Sequence, residues 1–408
     1  MGHDKCVISE PSMITMFYRN FFFLLLAGGL FFGSCRKDSG PQNNNSTSDD
    51  ECAEGLANGS GEAVAGRYIV LYKTSSVSAR GMTAERLNNI GVRVLQRNSI
   101  NSKALEESFG GQPGGFIATI SADEAVRLGQ DESVANIEPD RIISLGTCFT
   151  IVAPSLITWN INRVGFGDGR GKRAWIIDTG IDFDHPDLNV DSVLSKSFIN
   201  GVSSAEDENG HGTHVAGIIG AKNNQFGVLG VASGASLISL RVLDKDGEGL
   251  LSNIVKALAY VNNNATPGDV VNMSVGDDEG GSTTLDQQVR NTAAQGIYIA
   301  IAAGNEKEQA NKFSPGRTNA ENVFTVSAVD SLDRFASFSN YGNDVVDYSA
   351  PGVKILSTFL NGRYAYMSGT SMAAPHVAGL LLLKGKNITS SGTALNDPDS
   401  TADPIAHY

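Results

Sequence analysis

The feature that most constrains the fold is the alternation of short apolar runs with helical segments from about Gly146 onwards. Runs that are apolar throughout are typical of strands buried on both faces, as in parallel sheets covered by helices. We predict an α/β fold with a parallel sheet flanked by helices on both faces, and an active site at the carboxyl ends of its strands. The predicted strands are 174–177, 237–242, 270–275 and 297–303, and the predicted helices are 213–220, 251–261 and 285–295.

Composition narrows the range of partners. The chain has 408 residues, of which 41% are hydrophobic and 18% are charged, as in a globular protein with a sizeable core. Its formal net charge of −13 at pH 7 disfavours binding to nucleic acid or to an anionic membrane surface. We therefore expect no nucleic-acid partner.

The N-terminal segment has the pattern of a targeting sequence. Its apolar run, 21–32, is shorter than the roughly 20 residues of a membrane-spanning helix and suits the core of a signal peptide. We predict a signal peptide over residues 1–34, with the true start at Met13 or Met16. The polar stretch that follows, 35–65, is predicted to be a flexible linker because it contains too little apolar surface to build a core.

Cys35 leaves two alternatives for export. The small residues Gly33 and Ser34 before it resemble a bacterial lipoprotein processing site, which would lipidate Cys35 and give an outer-membrane lipoprotein. The alternative is plain secretion with a spare cysteine. Both predict an extracellular or cell-envelope protein, where Cys52 and Cys148 are available for a disulfide bond.

Residues 66–146 are predicted to form a small α+β domain. Within it, Ser121 and Glu124 have the spacing of a capping box at the start of a helix. A domain of this length folds alone only marginally. The predicted elements are strands at 68–72, 116–120 and 134–138 and helices at 83–89 and 121–128.

Three polar motifs lie where strands end or helices begin: DTGID from Asp178, HGTHVAG from His211, and GTSMAAPH around Ser371. Peptide hydrolysis needs an activated nucleophile, and His211 would remove the proton of Ser371 while Asp178 fixes the histidine tautomer. Taken singly, Asp178 could be a turn residue, Ser371 a helix cap, and His211 with His214 a metal pair or two core histidines. Their joint occurrence in the order Asp, His, Ser favours a catalytic triad.

These motifs, the small domain and the sheet between them resemble the subtilisin-like serine proteases of the subtilisin and proteinase K type. The resemblance extends from Gly66 to about Leu383. It implies a serine endopeptidase that cleaves protein or peptide substrates through an acyl-enzyme intermediate. It also implies an autoprocessed precursor, in which 66–146 is a ferredoxin-like propeptide that inhibits the catalytic domain, 147–408. We expect a monomer without an organic cofactor.

The resemblance assigns further residues of the site. Asn305 would donate its amide proton to the oxyanion, together with the main-chain N–H of Ser371. Substrate would bind as an added strand, and the acidic residues 277–279 at the rim would either favour basic substrates or form a solvated loop. The residues that match the family's substrate-binding strand and pocket wall are Ser274, Val275, Gly276, Ala302, Ala303 and Gly304.

Structural calcium is the cofactor that the resemblance implies. A mixture of carboxylate, amide and carbonyl oxygens is what calcium prefers. One position departs from the family pattern, because Ser155 stands near the place of a longer glutamine ligand. The ligands of the first site would be the side chains of Asp187 and Asn224 and the carbonyl oxygens of Lys222, Phe226 and Val228. A second site would use Asp347 with the carbonyl oxygens of Glu321 and Val323.

Two alternatives from other functional classes stay open. The chain could be a lipid-anchored binding protein on an inactive protease scaffold, although such a scaffold is expected to lose a triad residue or Asn305. It could also be a metallohydrolase that uses His211 and His214. A serine-directed phosphonate and a zinc chelator would distinguish that alternative from a serine protease.

Overall fold

The computed structural model describes residues 62–75, 77, 79, 81–144, 149–151, 156–276 and 281–408. The described residues belong to one compact unit. Several predictions fall outside these residues: the signal peptide, most of the linker, Cys35, Cys52, Cys148, Ser155 and the acidic rim at 277–279.

The first part of the described chain is a small domain with two helices and an antiparallel sheet. Its strands lie in the order β4-β1-β3-β2, and β1 pairs with both β3 and β4. This is the β-α-β-β-α-β arrangement of ferredoxin-like domains. Its elements are β1 (Ala63–Tyr72), α1 (Ala84–Arg97), β2 (Leu105–Phe109), β3 (Gly115–Thr119), α2 (Ala122–Leu128) and β4 (Val134–Ser144).

The two helices of the small domain begin at side-chain caps. The capping box predicted at Ser121 and Glu124 is confirmed, since each residue accepts a hydrogen bond from the main chain of the other. Helix α1 continues to Arg97, well past the end predicted from the sequence. The extended part contains Gly91, where an added Cβ would collide with Leu105 of β2, so this glycine permits close packing of the helix against the sheet.

The larger part of the described chain forms a second domain, and its main sheet confirms the predicted α/β fold. Nine strands lie in the order β18-β19-β15-β14-β13-β12-β7-β10-β8, and the neighbouring pairs from β15 to β8 are parallel. The strands of the larger domain, including those outside its main sheet, are β5 (Phe149–Ile151), β6 (Gly167–Asp168), β7 (Arg173–Asp178), β8 (Lys196–Ser197), β9 (Ala232–Ser233), β10 (Ser236–Arg241), β11 (Glu248–Leu250), β12 (Val270–Met273), β13 (Tyr298–Ala302), β14 (Val323–Val329), β15 (Val346–Pro351), β16 (Ile355–Phe359), β17 (Arg363–Met367), β18 (Thr389–Thr393) and β19 (Pro404–His407). The helices are α3 (Trp159–Val164), α4 (His211–Gly220), α5 (Leu251–Asn264), α6 (Thr283–Ala293) and α7 (Thr370–Lys384).

Strand β7, which lies inside the sheet between β12 and β10, shows why the sheet is buried on both faces. Ala174 and Ile176 belong to the core that contains α4 and α7, while Trp175 and Ile177 belong to the core that contains α5 and α6. Successive side chains of a strand point to opposite faces, so one uniformly apolar run serves two hydrophobic cores. The polar residue that ends this strand, Asp178, therefore lies at the carboxyl edge of the sheet.

The C-terminal segment consists of two strands, β18 and β19, joined by a loop over 394–403. Strands β18 and β19 form an antiparallel pair, and β19 adds to the main sheet parallel to β15 at Ser349. In the part of the chain that the structure describes, no helix has the length and apolar character needed to cross a bilayer.

Candidate active site

Asp178 and His211 meet at the carboxyl edge of the main sheet. Asp178 ends β7 and His211 begins α4, and both side chains are fully buried. The histidine Nδ1 lies 2.8 Å and 3.0 Å from the two carboxylate oxygens. A carboxylate can only accept, so Nδ1 carries the proton and Nε2 of the neutral ring is left as an acceptor. Among the described residues, His211 Nε2 has no hydrogen-bond partner.

Ser371 lies in the first turn of α7 and is almost fully buried. Its hydroxyl donates to the carbonyl oxygen of Ser274 at 3.3 Å, not to His211. The preceding Gly369 has φ +151, a conformation that favours glycine, and a Cβ there would lie 3.7 Å from the main-chain N of Ser371. A side chain at residue 369 would therefore contact this N–H group, and glycine has none. Nucleophile–base hydrogen bonds are commonly loose in enzymes without substrate.

Asn305 follows β13 and is held by Thr370. Its Oδ1 accepts hydrogen bonds from the main-chain N of Thr370 at 2.9 Å and from Thr370 Oγ1 at 3.0 Å. Because the amide oxygen is occupied in this way, its Nδ2 group is left to donate elsewhere. Nδ2 lies 3.8 Å from the position of a Cβ on Gly369, beside the main-chain N of Ser371.

His214 does not form a pair with His211. Its Nε2 lies between the carbonyl oxygens of Ile355 and Ala365, at 2.9 Å and 3.1 Å. Burial lowers the pKa of His214 to about 3, so this ring is neutral. The two histidines thus have separate partners, and within the described ranges no three His, Cys, Asp or Glu side chains converge as metal ligands would.

The predicted substrate-binding residues lie at the ends of neighbouring strands. Ser274, Val275 and Gly276 follow β12, while Ala302 ends β13 and Ala303 and Gly304 follow it. The parallel pairing of β12 with β13 brings the two segments to the same edge of the sheet.

The structure also shows an edge strand that the sequence analysis missed. Strand β11 pairs antiparallel with the end of β4, with Gly249 opposite Ile143 and Leu250 opposite Ile142. The last strand of the small domain is therefore added to an edge of the larger domain. The sequence signal for β11 is weak because it is three residues long and contains a glycine.

Two carboxylates of β4 bind the ends of helices in the larger domain. Asp140 is fully buried, and its Oδ1 accepts a hydrogen bond from the main-chain N of Ser252 in the first turn of α5 at 2.8 Å. Glu138 accepts a hydrogen bond from Ser282, the N-cap residue of α6. Acidic groups are favourable at helix N-termini, because the first N–H groups have no partner in the helix.

The loop predicted to bind calcium folds around Asp187. This carboxylate is fully buried and accepts from Asn224 Nδ2 at 2.8 Å, from Val228 N at 2.9 Å and from the Tyr364 hydroxyl at 3.2 Å. Burial raises the pKa of Asp187. A Cβ on Gly227 would collide with the carboxylate, so the loop passes over it at a glycine. Of the predicted ligands, the structure brings the side chains of Asp187 and Asn224 together, and turning over the Asn224 amide would place its oxygen beside the carboxylate, as oxygen-only ligation of calcium requires.

The residues of the second predicted calcium site lie on neighbouring strands. Val323 begins β14 and Asp347 lies in β15. The Asp347 carboxylate accepts from the main-chain N of Thr325 at 2.9 Å, and the Glu321 side chain contacts Lys386 at 2.6 Å. These contacts bring Asp347 next to β14, the strand that Val323 begins.

Comparisons with known proteins agree with this geometry. The Subtilase family model matches residues 171–392. The alkaline serine protease ver112 of Corniculantispora psalliotae is 36% identical over 336 residues, 78% of this chain and 80% of its own length. The extracellular serine proteinase of Thermus sp. (strain Rt41A) is 34% identical over 353 residues, 79% of this chain and 80% of its own. A cold adapted subtilisin-like serine proteinase of known structure, 32% identical, superposes with a TM-score of 0.55 over 62% of this chain and 98% of its own.

Proposed function

The chain belongs to the subtilase family of serine proteases, and we propose that it is a secreted endopeptidase, made as a precursor, that acts through Asp178, His211 and Ser371. The observation that carries this proposal is the position of His211, whose Nδ1 contacts both oxygens of Asp178 while Nε2 has no partner among the described residues. A histidine held in this tautomer is prepared to accept a proton at Nε2.

The proposed reaction begins with transfer of the Ser371 hydroxyl proton to His211 Nε2 as Oγ attacks the scissile carbonyl carbon. Asp178 stabilises the imidazolium that forms and keeps its ring in place. The oxyanion accepts hydrogen bonds from Asn305 Nδ2 and the main-chain N of Ser371, which flank Gly369. His211 then gives its proton to the leaving amine, and the acyl-enzyme is hydrolysed by water through the same steps.

The contact of the small domain with the larger domain supports the proposal that the chain is made as a precursor. The pairing of β4 with β11 gives that edge strand the main-chain partner that an extended substrate would otherwise supply. Residues 66–146 would then act as a propeptide that inhibits the enzyme until the chain is cut after it. The junction itself, 145–148, lies outside the described residues.

Calcium is proposed as a structural ion at Asp187. Asp187 and Asn224 would hold it with main-chain oxygens of the loop 222–228, and the bound ion would replace the neutral donors around the carboxylate. When bound, it would supply charge to a buried carboxylate and would fix the loop. A second ion at Asp347 remains a prediction.

Export is proposed from the signal-like segment 1–34 and from the extracellular location that the name of the Thermus relative gives for that protein. Lipidation of Cys35 remains a separate prediction, since that residue lies outside the described part of the chain. Mass spectrometry of the N-terminal peptide after export would distinguish a diacylated cysteine from a free one.

A fluorophosphonate is the direct test of the proposed reaction. The processed enzyme should lose activity as one phosphonate adduct forms on the peptide that contains Ser371, and a zinc chelator should leave activity unchanged. Labelling should disappear when His211 is replaced by Ala, because the hydroxyl is then no longer activated. A folded chain that binds no phosphonate would favour the inactive-scaffold alternative, and loss of activity with the chelator alone would favour a metallohydrolase.

A further inference from the structure

The nucleophile has a main-chain carbonyl group that its own helix does not satisfy in the ordinary way. In an α-helix the carbonyl oxygen of residue 371 accepts from the N–H of residue 375. That position is Pro375, which lies inside α7 and has no N–H. Ser371 is almost fully buried, so its carbonyl oxygen needs a donor from elsewhere.

The hydroxyl of Ser274 supplies this donor. Ser274 Oγ lies 2.8 Å from the carbonyl oxygen of Ser371, and Asn272 Nδ2 lies 2.9 Å from Ser274 Oγ. The direction of these bonds follows from the chemistry, since a carbonyl oxygen can only accept and the hydroxyl has one proton. Ser274 therefore donates to Ser371, and Asn272 donates to Ser274.

The main chain of Ser274 contacts the same residue. Its carbonyl oxygen accepts the hydrogen bond from the Ser371 hydroxyl at 3.3 Å. Two polar groups of residue 274 thus hold the nucleophile: the hydroxyl at the Ser371 carbonyl oxygen and the carbonyl oxygen at the reacting hydroxyl. Asn272 and Ser274 are only 0% and 1% exposed, so water does not compete for these bonds.

We propose that the Ser274 side chain is a positioning residue that holds the nucleophile turn of α7 against the end of β12. This inference rests on the proposed function and deepens it, because residue 274 otherwise enters only as part of the substrate-binding strand. Its hydroxyl substitutes for the hydrogen bond that Pro375 removes. The first turn of α7 can then keep Ser371 Oγ and the main-chain N of Ser371 in fixed positions, which catalysis by orientation requires.

Ser274→Ala is the first test, with steady-state kinetics on a chromogenic peptide and the rate of fluorophosphonate labelling. We expect kcat and the labelling rate to fall about five- to tenfold, the ratio that one ordinary hydrogen bond represents. KM should stay within about twofold, because the main chain that pairs with substrate is unchanged. Ser239→Ala is the matched control: that buried hydroxyl also donates to a main-chain carbonyl oxygen, Ala205, at 2.8 Å, but contacts neither Ser371 nor Asn305.

Pro375→Ala provides the decisive second background. It restores an N–H that can donate to the carbonyl oxygen of Ser371. The fold-loss in kcat caused by Ser274→Ala should therefore be at most half as large when the change is made in the Pro375→Ala background. The proposal is overturned if Ser274→Ala keeps the wild-type kcat, if it changes kcat no more than Ser239→Ala does, or if its effect is the same in both backgrounds. Failure of the proposed function is a different result, because the unmodified enzyme would then not react with the phosphonate.

Discussion

The small domain and the larger domain bury their sheets in different ways. In the larger domain, both faces of the main sheet pack against helices of the same domain. In the small domain, Val70 and Tyr72 of β1 pack in a core with its own helices. The alternate residues Ile69 and Leu71 pack in the core that contains α5 and α6 of the larger domain.

The small domain therefore depends on the larger domain for one half of its core. Each large apolar side chain that is buried contributes about 1.5–3 kcal/mol, and separation would expose Ile69, Leu71, Phe109, Ile117 and Ile143. We therefore expect the small domain to be marginally stable alone and the larger domain to be stable alone. Such a dependence suits a segment that assists folding and is removed afterwards.

The largest effect is expected from a variant that lowers turnover without changing the binding of the small domain. Asn305→Ala should lower kcat by about 10²–10³, the loss found when an oxyanion donor is removed from a subtilisin. It should leave the affinity of the small domain for the processed enzyme unchanged, because the contacts of β4 are with β11, α5 and α6. Steady-state kinetics measure kcat, and inhibition of the processed enzyme by added small domain measures the affinity. Asn311→Ala, in an exposed single-turn 3₁₀ helix, is the control, and an equal loss there would contradict the assigned role.

Calcium removal should destabilise the larger domain only. At a free concentration about 100 times its Kd, an ion that binds only the folded state adds about 2.7 kcal/mol to the free energy of unfolding. A chelator should therefore lower the Tm of the Ser371→Ala chain, which does not digest itself. Asp187→Asn should abolish the response to calcium, whereas Asp347→Asn should abolish it only if the second predicted site is the one occupied.

Two buried groups of the larger domain should give it opposite responses to pH. Burial lowers the pKa of His376 to about 4, so its contribution to stability is complete above pH 6.5 and is lost as the pH falls. Burial raises the pKa of Asp403 to about 7, so its contribution is complete below pH 3.8 and is lost as the pH rises through 7.

The quantity to measure is the decrease in the free energy of unfolding of the larger domain when the pH is lowered from 7.5 to 5.5. His376→Gln should reduce that loss by about 1.4 kcal/mol, and Asp403→Asn should increase it by a similar amount. Residues 62–144 contain no histidine, so the small domain should show no histidine-dependent change in this range. Changes of the same sign in both variants would show that these two groups do not titrate as described.

The smallest expected effect is on docking of the small domain. Asp140→Ala removes the acceptor for the main-chain N of Ser252 and for Arg67 Nε, and the loss of such a helix cap is typically about 1 kcal/mol. The processed enzyme should bind the variant domain roughly five- to tenfold more weakly, with no change in its own kcat. Asp123→Ala, on the exposed surface of α2, is the matched control. Equal affinity for both variants would show that the cap does not contribute to docking.

The parts of the fold that can be predicted from the sequence are those in which a local pattern of residues is compatible with only one structure. The uniformly apolar run of β7 and the polar residues after it predicted both the sheet and Asp178. Helix α1 extends well past its predicted end at residue 89, and the role of Gly91 in packing against Leu105 is visible only in three dimensions. Strands β11 and β19 were missed because their pairing partners, β4 and β15, are distant in sequence and their own residues carry little strand signal.

The site shows the same limit. Motifs identified Asp178, His211, Ser371 and Asn305, since each stands next to a strand or helix boundary that the sequence marks. The role of the Ser274 hydroxyl depends on a carbonyl group 97 positions away in the chain, which no local pattern reveals.

The most direct test of Ser371 as the nucleophile is incubation of the purified precursor with calcium, beside a Ser371→Ala variant, followed by intact mass and casein cleavage. We predict that the unmodified chain loses the segment that ends near residues 145–148 and then cleaves casein, while the variant stays intact and inactive. If both chains are folded, remain intact and leave casein uncut, or if the variant processes as fast as the unmodified chain, the assignment of Ser371 as the nucleophile is contradicted.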